Sequence, residues 1–486
     1  MMIRRAKEIL RRILEAFEGE FWRNYVLDVH KRLNYSKLEF TLFIVACSAA
    51  TIGGAILNPV PYSASAPSWL QYLKYVWLFY LPISLIIVYS IYRFDPSKDF
   101  GLQRVKQRKQ YKVIFQIVTR GVEVDAVRRG VLSVMHWAPQ YLKNFEIWVV
   151  TEEDAPKSSK LFFEELKRSL GDKLRVIYVP RSYRTPKGTL FKARALCYAL
   201  DVRRRLGYVN DRTWVYLMDE ESVVGEDTIL SIVEFIEGAQ EHGKMAAQGL
   251  VVYSNFWGKS VLPSIFDSVR PLQDVTLMRF QYEYGRPLFA VHGSHMLIRT
   301  DLEDKVGWDF GPVMAEDLIF GLMSSSRVGR VWGWLRGKLY EQSPFSVVDF
   351  FKQRRRWVWG IIDILRHRDI DAKNKFLVGL NYLLWLGGLP AAVISILNLV
   401  MPTPLPTIAM TPFLGLLMAV WLYMYWEGCK INTWHLPIPA KVKNSIRLAA
   451  LILAPLAGLF ESAAVWYGIV TYPFSRRKVG FELVKK

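Results

Sequence analysis

Four runs of this sequence carry almost no charge, and they limit the possible folds before any motif does. Residues 40–57, 376–400 and 410–426 contain no charged side chain, and residues 69–92 contain only Lys74. Each is close to the roughly 20 apolar residues that a helix needs to cross a bilayer. Buried hairpins in a soluble protein are the alternative, and runs this long and this uncharged argue against them. A fifth run, 448–472, is apolar but contains Pro455 and Glu461. An acid inside such a run marks a packing or functional position.

Charge orients these runs. The chain is 51% hydrophobic yet has a net charge of +20. Basic segments lie up to Lys37, at Arg104, Lys106, Arg108, Lys109 and Lys112, and between Lys430 and Arg447. The uncharged, proline-containing loops 58–67 and 401–406 lie between paired runs. The positive-inside rule puts the basic flanks in the cytoplasm and the proline loops outside. If 448–472 crosses, the basic tail 476–486 ends outside, against that rule, so a re-entrant or interfacial course stays open. Residues 1–33 place Leu10, Ile13, Leu14, Phe17, Phe21 and Trp22 at helical spacing among Arg, Lys and Glu. That pattern suits an amphipathic helix on the membrane surface or one packed on a soluble body. The three cysteines, Cys47, Cys197 and Cys429, form neither a metal pattern nor a disulfide framework. A nucleic-acid binder would also be basic, but no groove-reading or base-stacking module is visible, and no nucleic-acid partner is expected.

Between the apolar groups, residues 93–375 alternate apolar strands with helical patterns. Strands are expected at 112–119, 145–150, 174–179, 214–218, 246–253 and 288–298, and helices at 124–137, 158–170, 188–206 and from 227. That alternation predicts a parallel α/β sheet. Its centre is the run Trp214–Met218, which ends in Asp219, Glu220 and Glu221. Ligands of open α/β sheets sit at the carboxyl ends of the strands. Asp219 and Glu221, two apart, point the same way on an extended backbone. Two hard carboxylate oxygens there suit Mg²⁺ or Mn²⁺ carrying a diphosphate. A strand running into a solvated acidic turn would read the same, so the surrounding motifs decide.

Those motifs come in a characteristic order: Val118-Thr-Arg-Gly121, Thr151-Glu-Glu153, Arg184-Thr-Pro-Lys-Gly188 into Lys192-Ala-Arg-Ala195, Met218-Asp-Glu-Glu-Ser222, Ala315-Glu-Asp317 and Gln353-Arg-Arg-Arg-Trp357. As a set they resemble the family-2, inverting glycosyltransferases of GT-A fold, most of all the Egghead-like β-1,4-mannosyltransferases and their membrane-bound archaeal relatives. The resemblance implies a Rossmann-like, mostly parallel GT-A domain on the cytoplasmic face, joined to an α-helical transmembrane domain. It implies GDP-mannose as the nucleotide-sugar donor, a divalent metal, a lipid-linked glycan acceptor and contact with membrane lipids.

The same resemblance assigns roles. Thr119, Arg120 and Glu152 hold the nucleoside; a carboxylate can accept from base N–H groups. Lys187, Lys192 and Arg194 surround a helix start, where cations and free N–H groups bind phosphates, with Lys187 and Arg194 assigned to the donor. Asp219 and Glu221 become metal ligands and Asp219 also a donor contact, with Glu220 the alternative to Glu221. Asp317 is the catalytic base, beside Glu316 at the acceptor. An acid pair opening a helix is also ordinary capping. His292 and His295 fall in the acceptor segment, His292 at the acceptor and His295 in the metal shell; for either, a structural role is the competing reading. Gln353 and Trp357 face the acceptor and Arg356 the diphosphate, while Arg354 and Arg355 lie on another face, where Arg would meet lipid headgroups.

The expected organisation is an interfacial segment 1–37, two spans in 38–92, the GT-A domain 93–375, the C-terminal spans 376–475 and a tail 476–486. Three other readings compete: a processive polysaccharide synthase using a UDP-sugar, a polyprenyl-phosphate mannose synthase, and a basic lipid- or nucleic-acid-binding protein.

Overall fold

A computed structural model describes residues 36–57, 66–94, 102–255, 260–436 and 438–475. The expected amphipathic segment 1–33, most of the loop 58–67 and the basic tail lie outside the described residues.

Eight strands form one sheet in the order β3-β2-β1-β4-β7-β6-β8-β5. They are β1 (Lys112–Val118), β2 (Phe145–Glu152), β3 (Leu174–Val179), β4 (Thr213–Met218), β5 (Val223–Val224), β6 (Ala246–Asn255), β7 (Met296–Arg299) and β8 (Trp332–Gln342). The first four run parallel. β7 is antiparallel to both β4 and β6, and β5 is antiparallel to β8, while β6 and β8 are parallel. The sheet is therefore mixed, and four of its seven strand pairs are parallel, in keeping with the expected Rossmann-like layout. Its central strands are buried on both faces, as their unbroken apolar runs require: every residue of β4 is buried.

Helices α1 (Lys37–Leu57) and α2 (Leu81–Arg93) precede the sheet. Within it come α3 (Val124–Tyr141), α4 (Lys157–Leu170), α5 (Phe191–Arg205), α6 (Glu226–Glu237) and α7 (Glu316–Val328). α3 and α6 pack on one face of the sheet, through Val127, Val131, Ile229 and Ile232 against Phe115 and Tyr216. α5 and α7 cover the other, through Leu196, Ile319 and Leu322 against Val215 and Leu217.

The expected strand 288–298 shrinks to β7. Its first half is irregular because side chains satisfy the main chain there: Gln281 Oε1 accepts from the Leu288 and Phe289 N–H groups, and Gln248 Oε1 from that of His292. β8 has no counterpart in the sequence reading.

After β8 follow α8 (Val347–Arg366), α9 (Ala372–Val400), α10 (Thr411–Thr433) and α11 (Ala440–Ser475). Among the described residues, five helical stretches are long and apolar enough to cross a membrane: α1, the run Ser68–Arg93, α9, the run Ile408–Thr433 and α11. Large apolar side chains stay exposed along them, Leu57 at 86% and Leu399 at 83%, as lipid-facing residues would. The ambiguous run 448–472 is part of α11, one 36-residue helix with both Pro455 and Pro473 inside it. Lys74, the one charge in its apolar run, is buried and donates to the carbonyls of Thr403 and Pro404 in the proline loop.

Candidate active site

The site begins where β4 ends. β1 and β4 are parallel neighbours, so their carboxyl ends deliver Thr119 and Asp219 to the same edge. A tight turn follows β4. The Asp219 N–H donates to Ser222 Oγ at 3.0 Å, and the Ser222 N–H returns to the Asp219 carbonyl at 3.1 Å. Ser222 Oγ then donates to Glu341 Oε1 at 2.8 Å. β5 makes that contact possible: Val223 and Val224 pair with Tyr340 and Leu339, setting Glu341 of β8 beside the turn.

Carboxylate oxygens of Asp219, Glu221 and Glu341 all lie within 4.8 Å of one another, with Glu221 and Glu341 buried. Three carboxylates so close repel one another unless a cation shares their oxygens. An all-oxygen donor set fits Mg²⁺ or Mn²⁺. Glu220 turns away and accepts from Thr119 Oγ1 at 2.6 Å. Burial, reinforced by Glu221 and Asp219, pushes the Glu220 carboxyl up to about 7.

One cation already touches the cluster. Lys192, in the first turn of α5, pairs with Asp219 and donates to the Gly293 carbonyl at 2.8 Å. Burial alone would lower its pKa, but Asp219, Glu316 and Asp317 outweigh that, and the ammonium is held above the ordinary lysine value. Gly293 is where the segment before β7 meets the acids opening α7. A Cβ there would lie 3.0 Å from Asp317 Oδ2 and 3.2 Å from Lys192 Nζ. Asp317 Oδ1 also accepts from the Leu318 N–H at 2.8 Å. Burial raises the pKa of both acids, to about 7 for Glu316, where Asp317 adds repulsion. Lys192 pulls both back down. Arg356 does the same to Glu316, which brings α8 into the site.

Other expected site residues fall around this centre. Glu152, at the end of β2, pairs with Arg194 of α5, and Arg194 also donates to the carbonyls of Pro180 and Tyr183. Arg120 is exposed just after β1. His292 Nε2 lies 2.8 Å from Asp274 Oδ1. Trp357 lies beneath two guanidinium groups, of Arg270 and Arg354, each 4.5 Å from its ring centre.

Several expectations need correction. His295 is no metal ligand: its Nδ1 is 2.6 Å from Tyr216 Oη and its Nε2 is 2.9 Å from the Gly337 carbonyl, so both nitrogens are taken. Burial lowers its pKa to about 4 and keeps the ring neutral. The ring fits because residue 249 is glycine; a Cβ there would come within 2.5 Å of His295 Nε2. Lys187 is exposed and paired with Asp369, and the cation on Asp219 is Lys192 instead. Gln353 is buried, and its carboxamide oxygen accepts from Arg354, so it acts through that neighbour. Arg354 and Arg355 meet α11. Arg354 pairs with Asp267 at 2.6 Å and Glu461 at 2.9 Å, and Arg355 donates to Tyr467 Oη at 2.9 Å. The acid in the fifth apolar run thus has a partner.

Known proteins share this arrangement of sequence. A family profile described as "Glycosyl transferase family group 2" matches residues 214–426, from β4 into α10. The chain is 30% identical over 365 residues to the beta-1,4-mannosyltransferase egh of Drosophila melanogaster, covering 74% of this chain and 75% of that protein. It is 28% identical over 431 residues to the beta-1,4-mannosyltransferase bre-3 of Caenorhabditis briggsae, covering 86% and 88%. Among solved structures, the mannosyltransferase PcManGT from Pyrobaculum calidifontis, in complex with GDP-Man and Mn²⁺, overlays with a TM-score of 0.45 at 14% identity, covering 90% of this chain and 99% of that one. That overlap is too loose to carry a ligand or a metal across. The sequence relationship extends over three quarters of both chains, and on it the chain belongs to the family-2 glycosyltransferases, among the relatives of the Egghead-type enzymes.

Proposed function

We propose that the protein is a membrane-embedded, inverting mannosyltransferase that moves mannose from GDP-mannose to a hydroxyl of a lipid-linked glycan or glycolipid. The observation that carries this reading is the meeting, around Gly293, of a three-carboxylate cluster, Lys192 and the Glu316–Asp317 pair. The mannosyl donor is supported by its relatives, both named for β-1,4-mannosyl transfer.

Asp219, Glu221 and Glu341 would hold Mg²⁺ or Mn²⁺, which when bound neutralises the leaving nucleoside diphosphate. Thr119, Arg120 and Glu152 frame the nucleoside at the ends of β1 and β2. Lys192 and Arg356 add positive charge beside the phosphates. Asp317 takes the proton from the acceptor hydroxyl as that oxygen attacks the anomeric carbon, opposite the departing diphosphate. Burial raises the Asp317 carboxyl and makes it a stronger base than a solvated aspartate, while Lys192 beside it pulls that shift back down. Attack from the opposite face converts an α-linked donor into a β-linked product. The basic flanks of the apolar runs put the catalytic body, about residues 93–375, on the cytoplasmic face. Anchoring there limits the search for a lipid-borne hydroxyl to two dimensions.

The test is a donor panel. Purified protein in detergent, with lipid extract from the source membrane, is given radiolabelled GDP-mannose, UDP-glucose or UDP-N-acetylglucosamine, with Mn²⁺ or with chelator. Metal-dependent label from GDP-mannose in the organic phase is expected. Label only from a UDP-sugar, in material too large to extract, would replace this reading with a polysaccharide synthase.

A further inference from the structure

The helical run 261–283, between β6 and β7, takes no part in the mechanism above, yet it carries a cation set among aromatic rings. Arg270 lies 4.5 Å from the ring centre of Tyr253, near the end of β6, and 4.5 Å from that of Trp357 in α8. Its side chain is 13% exposed. Ring faces hold a guanidinium but do nothing for the five N–H donors at its edge. None of those donors has a hydrogen-bond acceptor among the described residues. The ion pair with Asp267, at 3.9 Å, is too long for a hydrogen bond, and Asp267 Oδ1 is taken by Arg354 at 2.6 Å. Donors so nearly desolvated are costly unless an acceptor is supplied.

The surroundings suit a lipid. Two residues before Arg270, the Ser268 carbonyl packs on Gly428 of α10, where a Cβ would come within 1.9 Å of it. Phe266 lies against Phe460 of α11, with ring centres 5.2 Å apart, and Trp357 against Trp385 of α9, at 6.4 Å. These three helices are among the stretches apolar enough to cross a membrane. Arg270 thus stands where the catalytic body meets the apolar helices, beside Trp and Tyr rings of the kind that gather level with lipid headgroups. It is also close to the chemistry. Trp357 precedes Gly360 on α8 by about 4.5 Å of helical rise. Gly360 packs on Ala315, the residue before Glu316 and Asp317; a Cβ at Gly360 would lie 2.6 Å from that of Ala315.

An arginine fork matches the oxygens of a phosphate. We propose that Arg270 binds the phosphate of the acceptor lipid, so that the acceptor is a short glycan carried on a lipid phosphate and not on a neutral lipid. With the phosphate at Arg270, the nearness of Trp357 to the acids leaves room for a short glycan only. A phospholipid headgroup offers the same phosphate chemistry; the proximity of Glu316 and Asp317 favours the acceptor. The inference rests on the mannosyltransferase reading and narrows its acceptor.

For the test, source-membrane lipid extract is split by anion exchange into a neutral and an anionic pool. Full-length wild type, Arg270→Gln and Arg270→Lys, in detergent with Mn²⁺ and radiolabelled GDP-mannose, receive each pool in rising amounts, and GDP release to water is measured without lipid. Wild type should transfer label only to the anionic pool. Losing charge-assisted hydrogen bonds to phosphate should raise the half-saturating anionic pool by about tenfold or more in Arg270→Gln. Arg270→Lys keeps the charge without the fork and should fall between. In both variants, GDP release to water and the KM for GDP-mannose should stay within about twofold of wild type, which a merely structural role for the stacked arginine would not spare. Vesicles of phosphatidylglycerol or of phosphatidylcholine, added with the neutral pool, separate the two sources of phosphate. Transfer to the neutral pool that phosphatidylglycerol stimulates in wild type and not in Arg270→Gln would assign the cation to bulk phospholipid and overturn the inference. Acceptor activity in the neutral pool alone, an unchanged acceptor requirement in Arg270→Gln, or a parallel rise in the KM for GDP-mannose would overturn it too, and each leaves the mannosyltransferase reading intact. No GDP release and no transfer by wild type with either pool would sink that reading, and this inference with it.

Discussion

Arg354 gives the sharpest stability prediction. Its side chain is 1% exposed and is shared between Asp267, at 0%, and Glu461, at 31%. Replacing it with Met keeps much of the volume but strands Asp267 as a buried charge, with Arg270, 3.9 Å away, as its remaining cation. Breaking a buried pair from one side costs about 3–5 kcal/mol. Asp267→Asn should cost less, because Arg354 keeps Glu461. Glu461→Gln should cost least, under about 1 kcal/mol, since that carboxylate is partly solvated and the amide oxygen still accepts. Thermal unfolding in detergent, followed by tryptophan fluorescence, would read these as a drop of roughly 3–5 °C for Arg354→Met and under about 1 °C for Glu461→Gln, at about 1 °C per kcal/mol for 486 residues. Equal drops for all three variants, or a Glu461→Gln variant as unstable as Arg354→Met, would refute the argument that stranded buried charge sets the cost.

Four other outcomes follow from the site. Asp317→Asn should lower transfer by about 10²–10⁴-fold with donor binding kept, measured as kcat and as GDP-mannose affinity by calorimetry. The acid limb of the kcat/KM profile should reflect Glu316 and Asp317, whose raised pKa values make activity fall as pH drops through their titration. Lys192→Met removes a cation that lowers both, so that limb should move to higher pH; a shift to lower pH would contradict the assigned electrostatics. Glu341→Gln should raise the Mn²⁺ needed for half-maximal activity by about tenfold or more, whereas Glu220→Gln should leave it nearly unchanged, because only Glu341 faces the other two carboxylates.

The apolar strand Trp214–Met218 and the acids after it were legible because a buried central strand needs an unbroken apolar run and its end opens on the ligand edge. The acids opening α7 were legible as motif and as helix start alike. Glu341 was not. β8 has Gly333 and Gly337 and the charges Arg336 and Lys338 within it, which interrupt its pattern, and its contact with Ser222 spans 119 residues. Nothing local announces a strand whose polar residues are satisfied by distant partners, such as Asp227 for Lys338. Lys192 and Arg194 were visible together, but sequence spacing could not say which of them reaches Asp219. The resemblance puts His295 in the metal shell, but its two ring bonds, to Tyr216 and Gly337, come from elements that only the fold brings together. The sequence leaves Arg354 a headgroup reading because its partners, Asp267 and Glu461, lie in elements that only tertiary packing brings to α8. For the same reason the acid in α11 could be flagged but not explained.

The most direct test of the central claim is the anomeric configuration of the product. Wild-type protein, Mn²⁺, GDP-mannose labelled with ¹³C in the sugar and lipid extract are incubated, and the one-bond C1–H1 coupling of the transferred sugar is read by NMR. Attack opposite the leaving diphosphate, with Asp317 as base, predicts a β-linked mannosyl product that is absent in Asp317→Asn. An α-linked product, or undiminished β-product from Asp317→Asn, would contradict the account.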